Sequence, residues 1–187
     1  MRYFFTVLII VLLAGGIWYG FNLGKNNRTN GGVSKPSSPS AKVLDLSKTG
    51  LTKVTSDIYS KTNTTDLILS NNNLKTLPSE MGRMTNVVVL KIDHNLLEGS
   101  LIGEIRQLSK LQLLDVSYNN MTGMPAEIGQ LGQLETLDYS YNNITGLPNE
   151  LANLKNNLKE FNLTGNPLSQ STISKLKTEL PNTDIIF

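Results

Sequence analysis

The sequence predicts an α/β solenoid in which short parallel strands lie side by side and line a concave face. Two observations predict it. The spacing of apolar residues and asparagine in Leu111–Met121, L-x-x-L-x-V-x-x-N-x-M, returns on both sides of that stretch. The last apolar position of successive copies advances by 23 or 24 residues. A period that regular indicates one small structural unit per copy, and such a unit buries its apolar face only by stacking on its neighbours.

Six copies of the pattern span residues 41–187, and they resemble leucine-rich repeats. The stretches LDVSYNNMTGMPAEIGQL and LDYSYNNITGLPNEL are similar to the repeats of plant receptor ectodomains and of bacterial leucine-rich-repeat proteins. The resemblance implies a right-handed solenoid in a horseshoe arc, with six repeats of 23–24 residues. It implies binding rather than a particular chemistry, because one fold hosts many functions. The copies end at Leu51, Leu74, Leu97, Met121, Ile144 and Leu168.

Residues 1–21 are interpreted as a transmembrane anchor or a signal peptide. The uncharged stretch 3–21 has about the 20 apolar residues that a spanning helix needs. Small residues around Ala14 resemble a signal cleavage site, whereas the aromatic cluster after Ile17 is typical of an interfacial belt on an uncleaved helix. We expect a single-pass membrane protein with its C-terminal domain outside the cytoplasm. Secretion after cleavage is the alternative.

Residues 22–40 are predicted to be a flexible linker. They are rich in Gly, Ser, Pro and Asn, with very few apolar side chains. Such a segment buries too little apolar surface to offset the entropy of ordering. It would hold the repeats just clear of a bilayer, with a reach of about 25 Å.

Each copy predicts a strand followed by a bend that an asparagine stabilises. The paired apolar residues turn inward, and period-two alternation sends the residue between them to solvent. An asparagine amide both donates and accepts hydrogen bonds to neighbouring turns. We therefore interpret this column as structural, with a cost of about 1–3 kcal/mol for losing one member. Its members are Asn72, Asn95, Asn119, Asn142 and Asn166.

The connecting segments predict a turn and a short 3₁₀ or α segment on the convex side. Pro78, Pro125 and Pro148 occupy one slot in three copies, where proline fixes φ and ends strand pairing. Apolar residues then recur every three or four positions. Ile102 stands in the proline slot of the third copy. A looser turn is expected there.

Both ends of the solenoid are expected to carry caps, because outer strands otherwise expose core and unpaired edges. Residues 169–187 form the predicted C-terminal cap. An amphipathic helix over Ser171–Glu179 ends before Pro181, and Ile185 to Phe187 supply a last strand. The degenerate first copy, Val43–Ile58, has Thr49 in the asparagine slot and is the predicted N-terminal cap.

Composition argues against several functions. The net charge is only +2, and the positive and negative residues are interspersed, so the sequence shows no basic patch for nucleic-acid binding. Cysteine is absent, which removes disulfides and thiolate chemistry and tilts the resemblance toward bacterial proteins. His94 is the only histidine and has no nucleophile in a triad pattern. We therefore predict no enzyme activity, no catalytic residues, no cofactor and no metal site.

The candidate binding residues lie on the concave strand face. Aromatic residues with a polar tip stand on consecutive copies beside aspartates, and tyrosine is enriched at binding hot spots. The same residues are also ordinary repeat sequence that covers the edge of a turn, so both interpretations stay open. The candidates are Lys91, Asp93, His94, Asp115, Tyr118, Asp138 and Tyr141.

These observations predict a membrane-tethered, non-enzymatic module that binds a protein ligand through its concave face. The alternative is a structural or adhesion protein of the cell envelope that binds glycan or another surface polymer. The oligomeric state is open.

Overall fold

The computed structural model describes residues 41–187, which wind through successive turns that each contribute one strand to a parallel sheet. Seven strands pair in the order β1-β2-β3-β5-β7-β8-β9, and β4 and β6 form a second, two-stranded sheet. The strands are β1 (Val43–Asp45), β2 (Asp66–Ile68), β3 (Val89–Lys91), β4 (Glu98–Gly99), β5 (Leu113–Asp115), β6 (Asn120–Met121), β7 (Thr136–Asp138), β8 (Glu160–Asn162) and β9 (Asp184–Ile186).

Short helices make the return on the other side of each turn. Most are single 3₁₀ turns, as the three- to four-residue spacing of apolar residues predicts. The α-helices are α1 (Ser56–Tyr59) and α2 (Gln170–Glu179), and the 3₁₀ helices are Ser79–Arg83, Gly103–Gln107, Ala126–Gln130 and Asn149–Leu154.

The core consists of columns of apolar side chains between the sheet and these helices. The strand centres stack in register, so that Leu90 pairs with Leu114 and Leu114 with Leu137. The predicted second column, Leu69, Ile92, Val116 and Tyr139, is also fully buried. Burial of each such side chain is worth roughly 1.5–3 kcal/mol, so the stacked columns outweigh any single contact.

The asparagine column links neighbouring turns, as predicted. The Asn119 side-chain Oδ1 accepts a hydrogen bond from Leu97 N at 2.9 Å, and its Nδ2 donates to Ile92 O and Val116 O, each at 3.1 Å. The other members repeat this pattern at their own positions. At the first turn the Thr49 hydroxyl replaces the amide donor and bonds Leu46 O at 2.7 Å.

The prediction of a looser turn at Ile102 is wrong. Its backbone has φ −64° and ψ 143°, close to −73° and 144° at Pro125. Both residues precede a five-residue 3₁₀ helix. A β-branched side chain thus adopts the same extended conformation, because packing of the following helix selects it without help from the proline ring.

The C-terminal cap has the predicted helix and strand. α2 covers Gln170–Glu179, and the Ser169 hydroxyl caps it by accepting from Thr172 N at 3.1 Å. Leu176 and Leu180 are buried against the last turn. β9 pairs with β8, which extends the sheet from the six predicted strands to seven.

The predicted anchor at residues 1–21 and linker at 22–40 lie outside the described residues. Within residues 41–187, no helix combines the length and the apolar composition required to cross a membrane.

Candidate functional site

A residue in the left-handed backbone region follows each of six strands. The N–H of each of the five non-glycine residues donates to a carbonyl of the next turn: His94 N bonds Ser117 O at 3.0 Å, and Tyr118 N bonds Ser140 O at 2.9 Å. Asparagine and glycine adopt positive φ readily, but for other residues this conformation costs roughly 1–2 kcal/mol. The six are Lys48 (φ 57°), Asn71 (58°), His94 (52°), Tyr118 (52°), Tyr141 (53°) and Gly165 (76°).

Three of these residues form what we call the aromatic ladder: His94, Tyr118 and Tyr141. The ring centroids of His94 and Tyr118 are 4.3 Å apart with planes inclined by 19°, and those of Tyr118 and Tyr141 are 4.3 Å apart at 18°. The rings follow the spacing of adjacent strands. They therefore stack because the repeat period places them one above another.

The two tyrosines of the ladder present ring edges rather than ring faces. Both faces of Tyr118 are covered by its two neighbours. The far face of Tyr141 packs on Gly165, where an added Cβ would lie 2.9 Å from the ring. Tyr141 is nevertheless 47% exposed, so its edge and hydroxyl reach solvent. Partial burial, followed by the neighbouring Tyr141, raises the pKa of the Tyr118 phenol.

Asp93 anchors the first ring of the ladder. Its Oδ2 lies 2.9 Å from His94 Nδ1, and its Oδ1 accepts a hydrogen bond from the Ser70 hydroxyl. Serine here bonds the carboxylate and not the imidazole. The three side chains therefore orient the ring and do not form a nucleophile-base pair.

Asp115 and Asp138 are less accessible than the sequence suggested. Strand alternation predicted side chains free on the sheet face, but these two residues are only 8% and 5% exposed. Asp115 Oδ1 accepts from Ser117 N at 3.1 Å and Ser117 Oγ at 2.7 Å, and Asp138 Oδ1 accepts from Ser140 N at 2.8 Å. Burial follows because neighbouring strands and the turn after each strand close around the short carboxylates.

The register brings like charges together. Asp115 and Asp138 are direct partners on adjacent strands, and so are Glu160 and Asp184. Burial, reinforced by Asp93 and Asp138, raises the pKa of Asp115 to about 7. Burial, with Asp138 and Asp184, also raises the pKa of Glu160. Part of this acidic surface is therefore uncharged just below neutral pH.

Lys91 sits at the edge of the acidic surface. It pairs with Ile68 on one side and with Asp115 on the other, and it is half-buried. Lys91 already interacts with its surroundings, as does Asp66.

The structure brings the seven predicted residues together on three neighbouring turns, centred on β3, β5 and β7. Sequence reasoning did not select Glu160, Asp184, Gly165 or Ser70. A period signal could have found Asp184, because Ile185 follows Phe161 by 24 residues and so continues the strand column. Nothing local could have found Gly165, whose role depends on the ring of Tyr141.

Metal binding has no support in the described part of the chain. There, no group of three or more His, Cys, Asp or Glu side chains could hold a metal ion. The arrangement can bind hydrogen-bond donors and positive charge, and it offers aromatic edges beside them.

Known proteins with the same repeats match this chain. A family model described as Leucine Rich Repeat matches residues 133–154. "Leucine-rich repeat and fibronectin type III domain-containing protein 1" of Danio rerio is 46% identical over 61 residues, which cover 32% of this chain and 10% of that protein. The matched segment thus spans about a tenth of that relative's length.

Solved structures extend the likeness over most of the chain. One is the LRR ectodomain of the plant membrane receptor kinase GASSHO1/SCHENGEN3 of Arabidopsis thaliana, in complex with CASPARIAN STRIP INTEGRITY FACTOR 2. It is 29% identical to this chain with a TM-score of 0.63, and the match covers 76% of this chain and 17% of that one. The Arabidopsis receptor kinase HAESA, in complex with the peptide hormone IDA and the co-receptor SERK1, is 27% identical with a TM-score of 0.67, covering 83% and 27%. Together with the stacked parallel strands, these matches show a leucine-rich-repeat solenoid fold, with a repeat of that family at residues 133–154.

Proposed function

We propose that this chain is a non-enzymatic protein-binding module, tethered to a membrane through residues 3–21, that recognises a protein ligand through the concave face of its sheet. The similar structures are of plant receptor kinases in complex with CASPARIAN STRIP INTEGRITY FACTOR 2 or with the peptide hormone IDA and the co-receptor SERK1. The observation that carries the proposal for this chain is the aromatic ladder.

All three residues of the ladder have a left-handed backbone conformation, which is unfavourable for histidine and tyrosine. At the equivalent position of two other turns, Asn71 and Gly165 adopt this conformation at lower cost. The three ladder rings stack on one another, and Tyr141 stays 47% exposed. Strained, exposed aromatic side chains are typical of binding surfaces. A purely structural turn would need neither tyrosine.

The ladder favours protein over glycan as the ligand. Sugars stack on the open faces of aromatic rings, and both faces of Tyr118 are covered. Ring edges and hydroxyls instead suit the mixed polar and apolar surface of a polypeptide.

Site-specific photocrosslinking tests the proposal. Tyr141 is replaced by p-benzoylphenylalanine in the full-length chain within the cells that produce it, and crosslinked products are identified by mass spectrometry. Glu98, exposed outside the seven-stranded sheet, is the matched control position. We expect a discrete protein crosslinked from position 141 only. Crosslinks from position 98 alone, or to wall polymer from position 141, would refute the proposal.

Alanine at both Tyr118 and Tyr141 provides a second test. It removes the ladder and leaves the core columns intact, so the melting temperature is expected to stay within a few degrees. Capture of the crosslinked protein is expected to be lost. If the variant still captures this protein, the ladder only covers the edge of the turns and does not bind the ligand.

The tether has its own test. A phosphatase fused after Phe187 is expected to be active outside the cytoplasm. Activity of a cytosolic reporter alone at that position would contradict the proposed orientation.

A further inference from the structure

One end of the aromatic ladder is open. Tyr118 is covered on both faces, and the outer face of Tyr141 packs on Gly165. His94 stacks on Tyr118 with one face, and no other ring of residues 41–187 stacks on it. The His94 side chain is 47% exposed. The outer face of its imidazole is therefore the ring face of the ladder that another planar group can cover.

The His94 ring is held in a fixed orientation. Its Nδ1 lies 2.9 Å from Asp93 Oδ2, and the other oxygen of that carboxylate accepts a hydrogen bond from the Ser70 hydroxyl. The backbone is fixed as well, because His94 N donates to Ser117 O at 3.0 Å. A side chain that is already oriented loses little conformational entropy on binding. The imidazole face is thus a preorganised platform.

The next two turns carry no ring at the equivalent position. Asn71 and Lys48 occupy it there, both with positive φ and both exposed. Adjacent strands are about 4.8 Å apart, so roughly 9–10 Å separates the level of His94 from that of Lys48. The ladder rings stack at 4.3 Å, so one further ring fits at the level of Asn71, whose short amide can turn aside into solvent. We call this space between His94 and Lys48 the aromatic slot.

Charge favours a neutral ring in the aromatic slot. The faces of Trp, Tyr and Phe carry partial negative charge, and an ammonium over such a face is attracted to it. Lys48 has a flexible side chain, and its ammonium can reach the outer face of a ring that stacks on His94. A guanidinium in the same place would be repelled by Lys48. An aliphatic side chain would gain neither ring stacking nor attraction to the ammonium.

We propose that the aromatic slot binds a tryptophan, tyrosine or phenylalanine side chain of the protein ligand, which extends the ladder by one ring. This inference rests on the function proposed above and names the chemistry of the partner. The ligand ring stacks on the imidazole of His94 and presents its second face to the ammonium of Lys48. His94 is then a specificity-determining residue, because it selects a planar side chain over an aliphatic one.

His94 also reports on the slot, because it is the only histidine of the chain. Its Hε1 and Hδ2 signals are followed by NMR in the full-length chain in lipid nanodiscs, with isotopically labelled histidine. The probe is the peptide Ser-Gly-Trp-Gly-Ser, and the control ligands are Ser-Gly-Leu-Gly-Ser and methyl β-glucoside. A ring stacked on the imidazole shifts both signals upfield through its ring current. We expect a saturable upfield shift with the tryptophan peptide and none with either control ligand.

The matched variants are Asn71→Tyr and Asn143→Tyr, the same substitution inside and outside the column that forms the ladder. Both positions are exposed, and tyrosine already adopts positive φ at Tyr118 and Tyr141, so both variants are expected to fold. The ring introduced at position 71 is expected to shift the His94 signals upfield without peptide and to remove their response to it. Asn143→Tyr is expected to respond as the parent does. Melting curves confirm that both variants are folded.

The inference is overturned if the tryptophan peptide leaves the His94 signals unmoved up to about 10 mM, where a millimolar site would be filled. An equal shift with the leucine peptide or the glucoside, or an unchanged response in Asn71→Tyr, would also overturn it. If photocrosslinking from position 141 finds a protein in these cases, the proposed function stands and only the aromatic chemistry fails. If the signals respond as expected while position 141 crosslinks no protein, the slot's preference for a ring is supported and the proposed function fails.

Discussion

The clearest stability prediction concerns the buried carboxyl of Asp115. The perturbation is Asp115→Asn, which keeps the shape of the side chain and the oxygen that accepts from Ser117 N and Oγ. Asn162 already makes the same pair of bonds to Thr164 one position along the sheet. The substitution therefore removes a titrating charge with little other change.

The magnitude follows from proton linkage. The pKa of Asp115 is about 7 in the folded chain, against an ordinary value of 3.8. Between these pH values the folded state holds a proton that the unfolded state has released, so the free energy of unfolding falls as pH rises. The stability is fully present below about pH 4 and lost above pH 7, a change of roughly 4 kcal/mol. The asparagine variant lacks this loss.

The assay is urea unfolding followed by far-ultraviolet circular dichroism at a series of pH values from 4 to 8. We expect the advantage of Asp115→Asn over the parent to grow with pH, up to roughly 4 kcal/mol at pH 8. The melting temperature would then rise by roughly 8–16 °C, at 2–4 °C per kcal/mol. Glu98→Gln, at an exposed position, is the control and should follow the parent. Parallel curves for Asp115→Asn and the parent, or an advantage that grows toward acid, would refute the reasoning.

Three further predictions concern the core, each measured as the free energy of unfolding in urea. Gly129→Ala is expected to cost about 1–3 kcal/mol by overpacking, because the new Cβ would lie 2.6 Å from the Glu150 carbonyl carbon. Gly132→Ala is the control, because its new Cβ would have no atom within 4 Å. Equal losses of stability in the two variants would contradict the overpacking account. Tyr139→Phe is expected to be neutral or to stabilise by about 1 kcal/mol, because the buried hydroxyl has no hydrogen-bond partner among residues 41–187. A loss of stability would instead reveal a partner. Asn119→Ala is expected to cost roughly 1–3 kcal/mol, because Leu97 N loses its acceptor while the carbonyls of Ile92 and Val116 keep the bonds from Asn95 and Asn142. An unchanged urea midpoint would contradict its structural role.

Most of the scaffold could be predicted because its information is local. The columns that contain Leu69 and Leu114 follow from which side chains point inward in each copy, a property that strand alternation carries. The asparagine column follows from amide chemistry at a bend. The last strand was predicted, but its membership in the main sheet was not counted, because residues 184–186 show only the strand part of the repeat pattern.

The candidate site was only partly predictable because its properties arise between copies. His94, Tyr118 and Tyr141 could be aligned in one column, but positive φ and ring stacking depend on hydrogen bonds that their N–H groups donate to the neighbouring turn. Asp115 was expected to be free on the sheet face and is instead buried. Its low exposure depends on how closely the adjacent turns pack.

The spacing of leucine and asparagine was thus sufficient to predict the repeat architecture, since each copy contains the same pattern of inward- and outward-facing residues within a short stretch. The tertiary structure alone decided which charges oppose one another and which rings cover each other's faces. Those relations join residues 23 or 24 positions apart, as with Asp115 and Asp138, and they exist only when one turn lies against the next. Electrostatic repulsion and ring stacking act over a few ångströms of space, so the distance along the chain does not reveal them.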